Sequence, residues 1–326
     1  MADNYTNTLA GLLMLNDANM ADIYPSNVLD EAPVIRQAFA QPASQGGTTH
    51  KYLRRKTAAG AGFRKLGYGI VNAAEEFTDV TVNCELLDGS FDRDVGLALG
   101  YKAGREAYLR KETLAGLKTM FYRLEESVFN IGVAHSFTGL PYFDDYFAED
   151  LDQVVNAGGT GGKSVWLLRW ADDGVSIVAG NEGRVEFTLP DADNIVRVLD
   201  GKSHPYSAYR MTLLGWYALQ VGSKYDAARI CNLDGTGGKT VTDDRLAEGI
   251  SKFRAGKGPN MIVMNRTALK ELRESRTATN PSGAPAAFPT EAFGIPIVVT
   301  DALSDSEAEV TATNVSSPAS VTTATA

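Results

Sequence analysis

A chain of 326 residues with 44% apolar and 22% charged side chains has a globular mix and is long enough for roughly two domains or one body with large insertions. A mini-protein, a collagen-like repeat and a wholly disordered chain are excluded. Lys and Arg number 31 against 40 Asp and Glu, a net charge of −9, so nucleic-acid binding by the surface as a whole is disfavoured.

Residues 1–47 combine a short amphipathic stretch (Leu9, Leu12, Leu13, Met20, Ile23) with Pro25, Pro33, Pro42 and then Gly46-Gly47. Such a segment cannot close a core of its own, so it reads as an arm that lies on something else. From Thr48 the pattern turns extended. Val80, Val82, Cys84 and Leu86 alternate with Thr81, Asn83 and Glu85, the period of a half-buried strand. His50 to Thr57 is its expected partner, and Gly60, Gly62, Gly67 and Gly69 loosen the tip between them. Residues 48–75 therefore read as a long projecting hairpin.

Leu114, Leu117, Phe121, Leu124, Val128 and Ile131 follow a spacing of 3, 4, 3, 4 and 3, which puts all six on one helical stripe. The polar side carries Arg110, Lys111, Glu112, Lys118, Arg123, Glu125 and Glu126. A helix from about Gly104 to Ile131 is roughly 40 Å long at 1.5 Å per residue. Upstream, Gly96, Gly100 and Gly104 recur every four residues, which gives either a bare helical face or a broken helix start.

Residues 164–233 read as strands interrupted by the turn signals Asp172-Asp173-Gly174, Gly180 to Gly183, Pro190-Asp191 and Asp200-Gly201. Beyond them Thr242 is an N-cap for a helix to about Arg254, Asn260 to Met264 is a buried strand, Thr267 to Ser275 a helix, and Ile295 to Thr300 a strand. From Val310 to Ala326 Ser, Thr and Ala dominate, with no aromatic and no charge. That tail is expected to be mobile or to extend along a neighbour.

No run approaches the roughly 18 apolar residues of a membrane span. The opening Met1-Ala2-Asp3-Asn4 lacks the basic start of a cleaved leader, so a soluble chain of the cytoplasm is expected. Cys84 and Cys231 form no Cys-x-x-Cys spacing and read as buried free thiols.

Two turns invite a phosphate-loop reading, Gly159-Thr160-Gly161-Gly162-Lys163-Ser164 and Gly235-Thr236-Gly237-Gly238-Lys239-Thr240. Both lack the first glycine of that motif, where Ala157 and Leu233 stand, and the first runs into an apolar strand instead of a helix. They read as flexible turns, and a nucleotide-dependent enzyme built on them is the competing function class. His50, His135 and His204 have no ligand spacing, and no nucleophile signature occurs. No catalytic residue, cofactor or metal is expected. The acidic run from Asp144 to Asp152 holds five carboxylates, readable as an oxygen site for a divalent cation, a solvated turn or an electrostatic contact face. The opposite run, Lys51, Arg54, Arg55, Lys56, Arg64 and Lys65, has no acid between Thr48 and Leu66 and only Tyr52 and Phe63 as aromatics. Stacking on bases would call for more aromatics, so the expected partner is the acidic surface of another subunit.

Tyr206-Ser207-Ala208-Tyr209-Arg210 with Trp216, Ala228 to Asp234, Pro259 to Arg266 and Phe293 to Leu303, in this order of elements, resemble the major capsid proteins of tailed bacteriophages with the Hong Kong 97 fold, most of all those of a short-tailed group. The resemblance spans about residues 33–303. It implies an α+β fold with an N-terminal arm (1–47) on a neighbouring subunit, an extended loop (48–75), a peripheral domain with a long spine helix (76–150), an axial domain with returning peripheral strands (151–303) and a C-terminal tail (304–326). It implies a shell protein that assembles as hexamers and pentamers into an icosahedral head around double-stranded DNA, without sequence-specific binding and without a membrane. Scaffolding, portal and decoration proteins are the further partners it suggests, and the encapsulin-like compartments share the fold as an alternative. Lys51, Arg54, Arg55, Lys56, Phe63, Arg64 and Lys65 become the expected contacts of the extended loop, and the six-residue stripe becomes the core of the spine. Some members crosslink through a lysine of that loop. Lys51, Lys56 and Lys65 lie there, but the sequence singles out neither the asparagine nor the carboxylate such a link needs.

Overall fold

The computed structural model describes residues 28–45, 47–57, 63–68, 76–129, 137–188, 195–280 and 284–312. Helix α1 (Pro33–Gln37) begins with proline at a position where the missing N–H costs nothing. Strand β1 (Ala40–Pro42) follows, and then β2 (Thr49–Thr57) pairs antiparallel with β3 (Glu76–Asn83) in a two-stranded ribbon. At Cys84, whose N–H donates to the Thr48 carbonyl at 2.7 Å, the chain leaves the ribbon. It then forms β4 (Glu85–Asp88) and β5 (Phe91–Asp94). Leu86 is consequently exposed, although its spacing from Val80 and Cys84 would bury it in one continuous strand.

Asp94 caps α2 (Val95–Gly100), its carboxylate accepting the Gly96 N–H at 2.7 Å. Gly104, at φ +91°, then turns the chain into α3 (Arg105–Phe129), about 38 Å long at 1.5 Å per residue. The glycines spaced by four therefore mark a broken helix start; Gly100 and Gly104 have nothing packed against them. The remaining strands and helices are β6 (Val154–Asn156), β7 (Lys163–Leu168), β8 (Val175–Ala179), β9 (Glu186–Thr188), β10 (Ile195–Leu199), β11 (Pro205–Val221), β12 (Ala227–Leu233), α4 (Asp243–Ser251), β13 (Met261–Met264), α5 (Arg266–Ala278), β14 (Glu291–Ala292) and β15 (Ile295–Val299).

These strands make two large sheets. A seven-stranded sheet runs β1-β8-β11-β10, with β4, β5 and β9 also laid against the 17-residue β11. It draws strands from residues 40–42, 85–94 and 175–221. The six-stranded sheet runs β14-β15-β13-β7-β12-β6. Its central strands β7, β12 and β13 are buried along their whole length because both faces are covered. Trp166, Leu168, Met261 and Val263 point into the main core, while Val165, Leu167, Ile262 and Met264 meet Leu246 of α4 and Leu272 of α5 on the other face.

Helix α3 fills the space between the sheets. Leu117, Phe121, Leu124 and Val128 are buried in the main core, Leu114 is half-buried against it, and Ile131 lies outside the described residues. Phe121 meets Tyr217 of β11 edge-on, with centroids 6.4 Å apart, and Phe129 reaches Trp166 of β7 at 6.3 Å. Val28, Leu29, Ala32, Val34, Ile35, Ala38 and Ala40 belong to the same core. This part of the expected arm therefore packs on its own subunit, since its apolar residues complete the stripe of α3.

Candidate assembly surface

The ribbon decides how the basic run is presented. Side chains alternate along a strand, so His50, Tyr52 and Arg54 turn to one face with Val80 and Val82, while Lys51 and Leu53 turn to the other with Asp79 and Phe77. The inner face lies on the body of the same chain. His50 and Val80 are buried, and the Tyr52 hydroxyl is hydrogen-bonded to the Val221 backbone, its pKa raised chiefly by burial. Arg54 forms an ion pair with Asp145 of the acidic run. Burial works against its charge, but Asp145 more than offsets this and the guanidinium stays protonated. Arg54 is thus paired within the subunit. The period of two that separates it from Lys51 was visible in the sequence; Asp145, 91 residues away, was not.

The outer face and the tip are exposed. Lys51, Leu53 and Phe77 face solvent on the ribbon, and so do Phe63, Arg64, Lys65, Leu66 and Tyr68 at the tip. Of Arg55 and Lys56 only the position on β2 is described. Arg64 donates to the Tyr68 carbonyl at 3.2 Å and the Tyr68 N–H to the Lys65 carbonyl at 3.1 Å, a local turn that holds the tip together.

Beneath α1, Glu125 of α3 is fully buried, against its assignment to the polar side of that helix. It stands four residues beyond Phe121, on the flank of the apolar stripe. Its carboxylate accepts the Val34 and Ile35 N–H groups at 2.9 and 3.0 Å and a bond from Thr300 Oγ1. It therefore caps α1, whose own N-cap, Ala32, offers no side chain. Burial pushes its pKa up to about 7 despite these bonds.

The two Gly-Lys turns lie side by side: the Gly159 N–H donates to the Asn232 carbonyl at 3.0 Å, and a Cβ on Gly162 would meet the Leu233 carbonyl at 2.3 Å. Both lysines face carboxylates. Lys163 is buried in an ion pair with Glu271, and Lys239 lies 3.6 Å from Asp234. The acidic run also lacks the grouping a cation needs; among the described residues no three His, Cys, Asp or Glu side chains are placed to hold a metal. Cys84 and Cys231 are buried free thiols, with pKa values pushed up to about 11 by burial. Among the described residues no helix is long and apolar enough to cross a membrane.

A long helix clamped between two sheets, with a separate two-stranded ribbon, is an architecture of the Hong Kong 97 type. Among the solved structures that share this fold are two from bacteriophages. The bacteriophage epsilon15 structure is 18% identical over 84% of this chain and 88% of that chain, with a TM-score of 0.59. The bacteriophage JBD30 capsid is 8% identical over 88% of this chain and 93% of that one, with a TM-score of 0.52. The chain itself belongs to the family of major capsid protein GP7, which matches residues 18–311. It is a structural protein of an icosahedral bacteriophage head, assembles with its own copies into the capsid lattice and resides in the virion. One curated protein, a probable cytosolic iron-sulfur protein assembly protein 1 of Vanderwaltozyma polyspora, is 30% identical over 64 residues, 20% of this chain. The chain spans 18% of that protein's length, and nothing of its role is carried over.

Proposed function

We propose that the protein closes the head as hexamers and pentamers around double-stranded DNA, and that the ribbon is its extended loop, docked on a neighbouring subunit. The observation that carries this is the exposure of Leu53, Phe63, Leu66, Tyr68 and Phe77, each more than half exposed, on one projection that also carries Lys51, Arg64 and Lys65. A subunit that stayed alone would not keep so much apolar surface in water. Arg55 and Lys56 lie on the same strand and join the contact, whereas Arg54 sets the angle at which the ribbon leaves the body. The α3 helix with the seven-stranded sheet forms the peripheral domain. The six-stranded sheet with α4 and α5 forms the axial domain around the capsomer centre. The chain is made in the host cytoplasm and performs no catalysis. It encloses DNA without reading its sequence, and scaffolding, portal and decoration proteins complete the head.

Arg64→Glu combined with Lys65→Glu tests the docking. The subunit is expected to keep its circular dichroism and urea midpoint, since both side chains are exposed, while electron microscopy shows no closed shells. Normal shells in normal yield would refute the placement, and normal empty shells with a defect only in packaged DNA would mean that the tip faces the genome.

A further inference from the structure

The turn between β14 and β15 departs from ordinary turn chemistry at Phe293. Ala292 pairs with Ile295 across the antiparallel ladder, so Phe293 and Gly294 alone close the hairpin, at φ +53° and +75°. A two-residue turn with both φ values positive calls for Asn-Gly or Asp-Gly. A bulky side chain in that region is strained by its own Cβ. The other non-glycine residues with positive φ among the described ones, Asn181, Glu182, Ser203 and Asn232, are polar or charged. Burial in its own subunit does not offset the strain at Phe293, which is 61% exposed. The tip is open to solvent, since a Cβ on Gly294 would meet no atom within 4 Å.

This tip stands on the β14 edge of the six-stranded sheet, and the segment leading to it is apolar. Ala284, Pro285, Ala287 and Phe288 are exposed, and the Arg273 guanidinium lies over the Phe288 ring, 4.7 Å from its centroid. Arg273 Nε donates to the Ala286 carbonyl at 2.7 Å, so α5 holds a cation beside the aromatic. The opposite edge of the sheet is β6. It is preceded by the acidic run, in which Phe147 and Leu151 are half-buried and Asp144 and Asp150 are exposed. One edge therefore offers aromatic rings and a cation, the other apolar side chains and carboxylates. The two edges of one sheet face in opposite directions, so a single chain cannot bring them together. Copies placed head to tail around an axis do so at every contact.

We propose that Phe293 is an anchor between copies of this chain: its ring seats on the β6 edge of the next copy, beside Phe147 and Leu151, with Arg273 facing Asp144 and Asp150. Backbone strain of this kind persists where a function holds it, and a large aromatic ring is the kind of side chain that dominates the energy of a contact once it leaves water. The seat rests on the reading that copies close into hexamers and pentamers around the six-stranded sheet. It does not depend on where the ribbon docks.

Phe293→Asn separates this role from a purely structural one. Asparagine suits the turn better than phenylalanine, so the urea midpoint of the unassembled subunit is expected to stay or rise. The protein concentration that gives half-maximal ring formation, followed by light scattering and electron microscopy, is expected to rise about tenfold or more. Phe293→Tyr, which keeps the ring, assembles at the natural concentration. Photo-crosslinking of assembled particles carrying Phe293→p-benzoylphenylalanine identifies the seat: covalently linked copies are expected, joined within residues 144–156. Unimpaired ring formation in Phe293→Asn would overturn the proposal, as would a link to another protein or to any other part of the chain. If the natural protein formed no rings, the hexamer and pentamer reading would fall with the seat, whereas normal rings linked elsewhere would remove the seat alone.

Discussion

Glu125 shows how a single buried carboxyl can serve the fold at one pH and strain it at another. Its hydrogen bonds to α1 and Thr300 favour order, while burial of its charge opposes ionisation and raises its pKa from 4.5 to about 7. For a carboxyl raised on folding, the unfolded chain ionises first, so stability is full below about pH 4.5, declines as pH rises towards 7 and is flat beyond. Glu125→Gln keeps an acceptor for the Val34 and Ile35 N–H groups and removes the charge. It is expected to flatten this slope and to stabilise the subunit at pH 8 by about 3–4 kcal/mol, from the rise of 4.5 to about 7 at about 1.4 kcal/mol per tenfold change in the equilibrium. Glu125→Ala should instead destabilise at every pH, because it leaves two buried N–H groups without an acceptor. Urea midpoints of the three proteins between pH 5 and pH 8 check both, and an unchanged slope in Glu125→Gln would show that Glu125 is not the group titrating.

Among elements, α3 was the most legible, since five of the six stripe residues can be followed in the structure and all five contact the main core. Phe121 is the test. It is 1% exposed and packs edge-on against Tyr217, so Phe121→Ala is expected to cost about 3–5 kcal/mol from lost burial and the cavity left behind. A urea midpoint close to that of the natural protein would show that the helix is not clamped between the sheets as described. The ends of α3 were less legible, because the glycines before it fit both a bare face and a break; the positive φ of Gly104 decided for the break. The ribbon was legible as a hairpin, His50 to Thr57 against the strand through Val80. Its two faces were not separated, because a count of like charges ignores that Lys51 and Arg54 point to opposite sides. The acceptors of Arg54 and His50, namely Asp145 and Gln220, come from 91 and 170 residues away and leave no local pattern.

For the whole molecule, the order of elements was legible and its closure was not. The sequence could not show that β11 would pair with five other strands, nor that the chain would return to seal its own six-stranded sheet. That return is made by residues 307–310 of the expected C-terminal tail. Val310 packs on Val154 and Cys231, and the Asn232 amide grips its backbone at 2.8 and 2.9 Å. Glu307 exchanges backbone bonds with Gly162 and reaches Arg229 Nη2 at 2.9 Å. Arg229 is almost completely buried, lying over Trp166 and donating to Ser164 Oγ and the Tyr146 carbonyl. A guanidinium so enclosed depends on its one carboxylate, and removing that partner leaves an uncompensated buried charge at a cost of about 3–5 kcal/mol. Removing both charges together is far less costly, because apolar side chains of similar volume restore packing. Glu307→Ala is therefore expected to lower subunit stability by that amount, and Arg229→Met with Glu307→Leu to recover most of it. Urea titration of the unassembled subunit measures both. If Glu307→Ala were as stable as the natural chain, the seal would rest on the backbone bonds and Val310 alone, and the double replacement would then have nothing to recover.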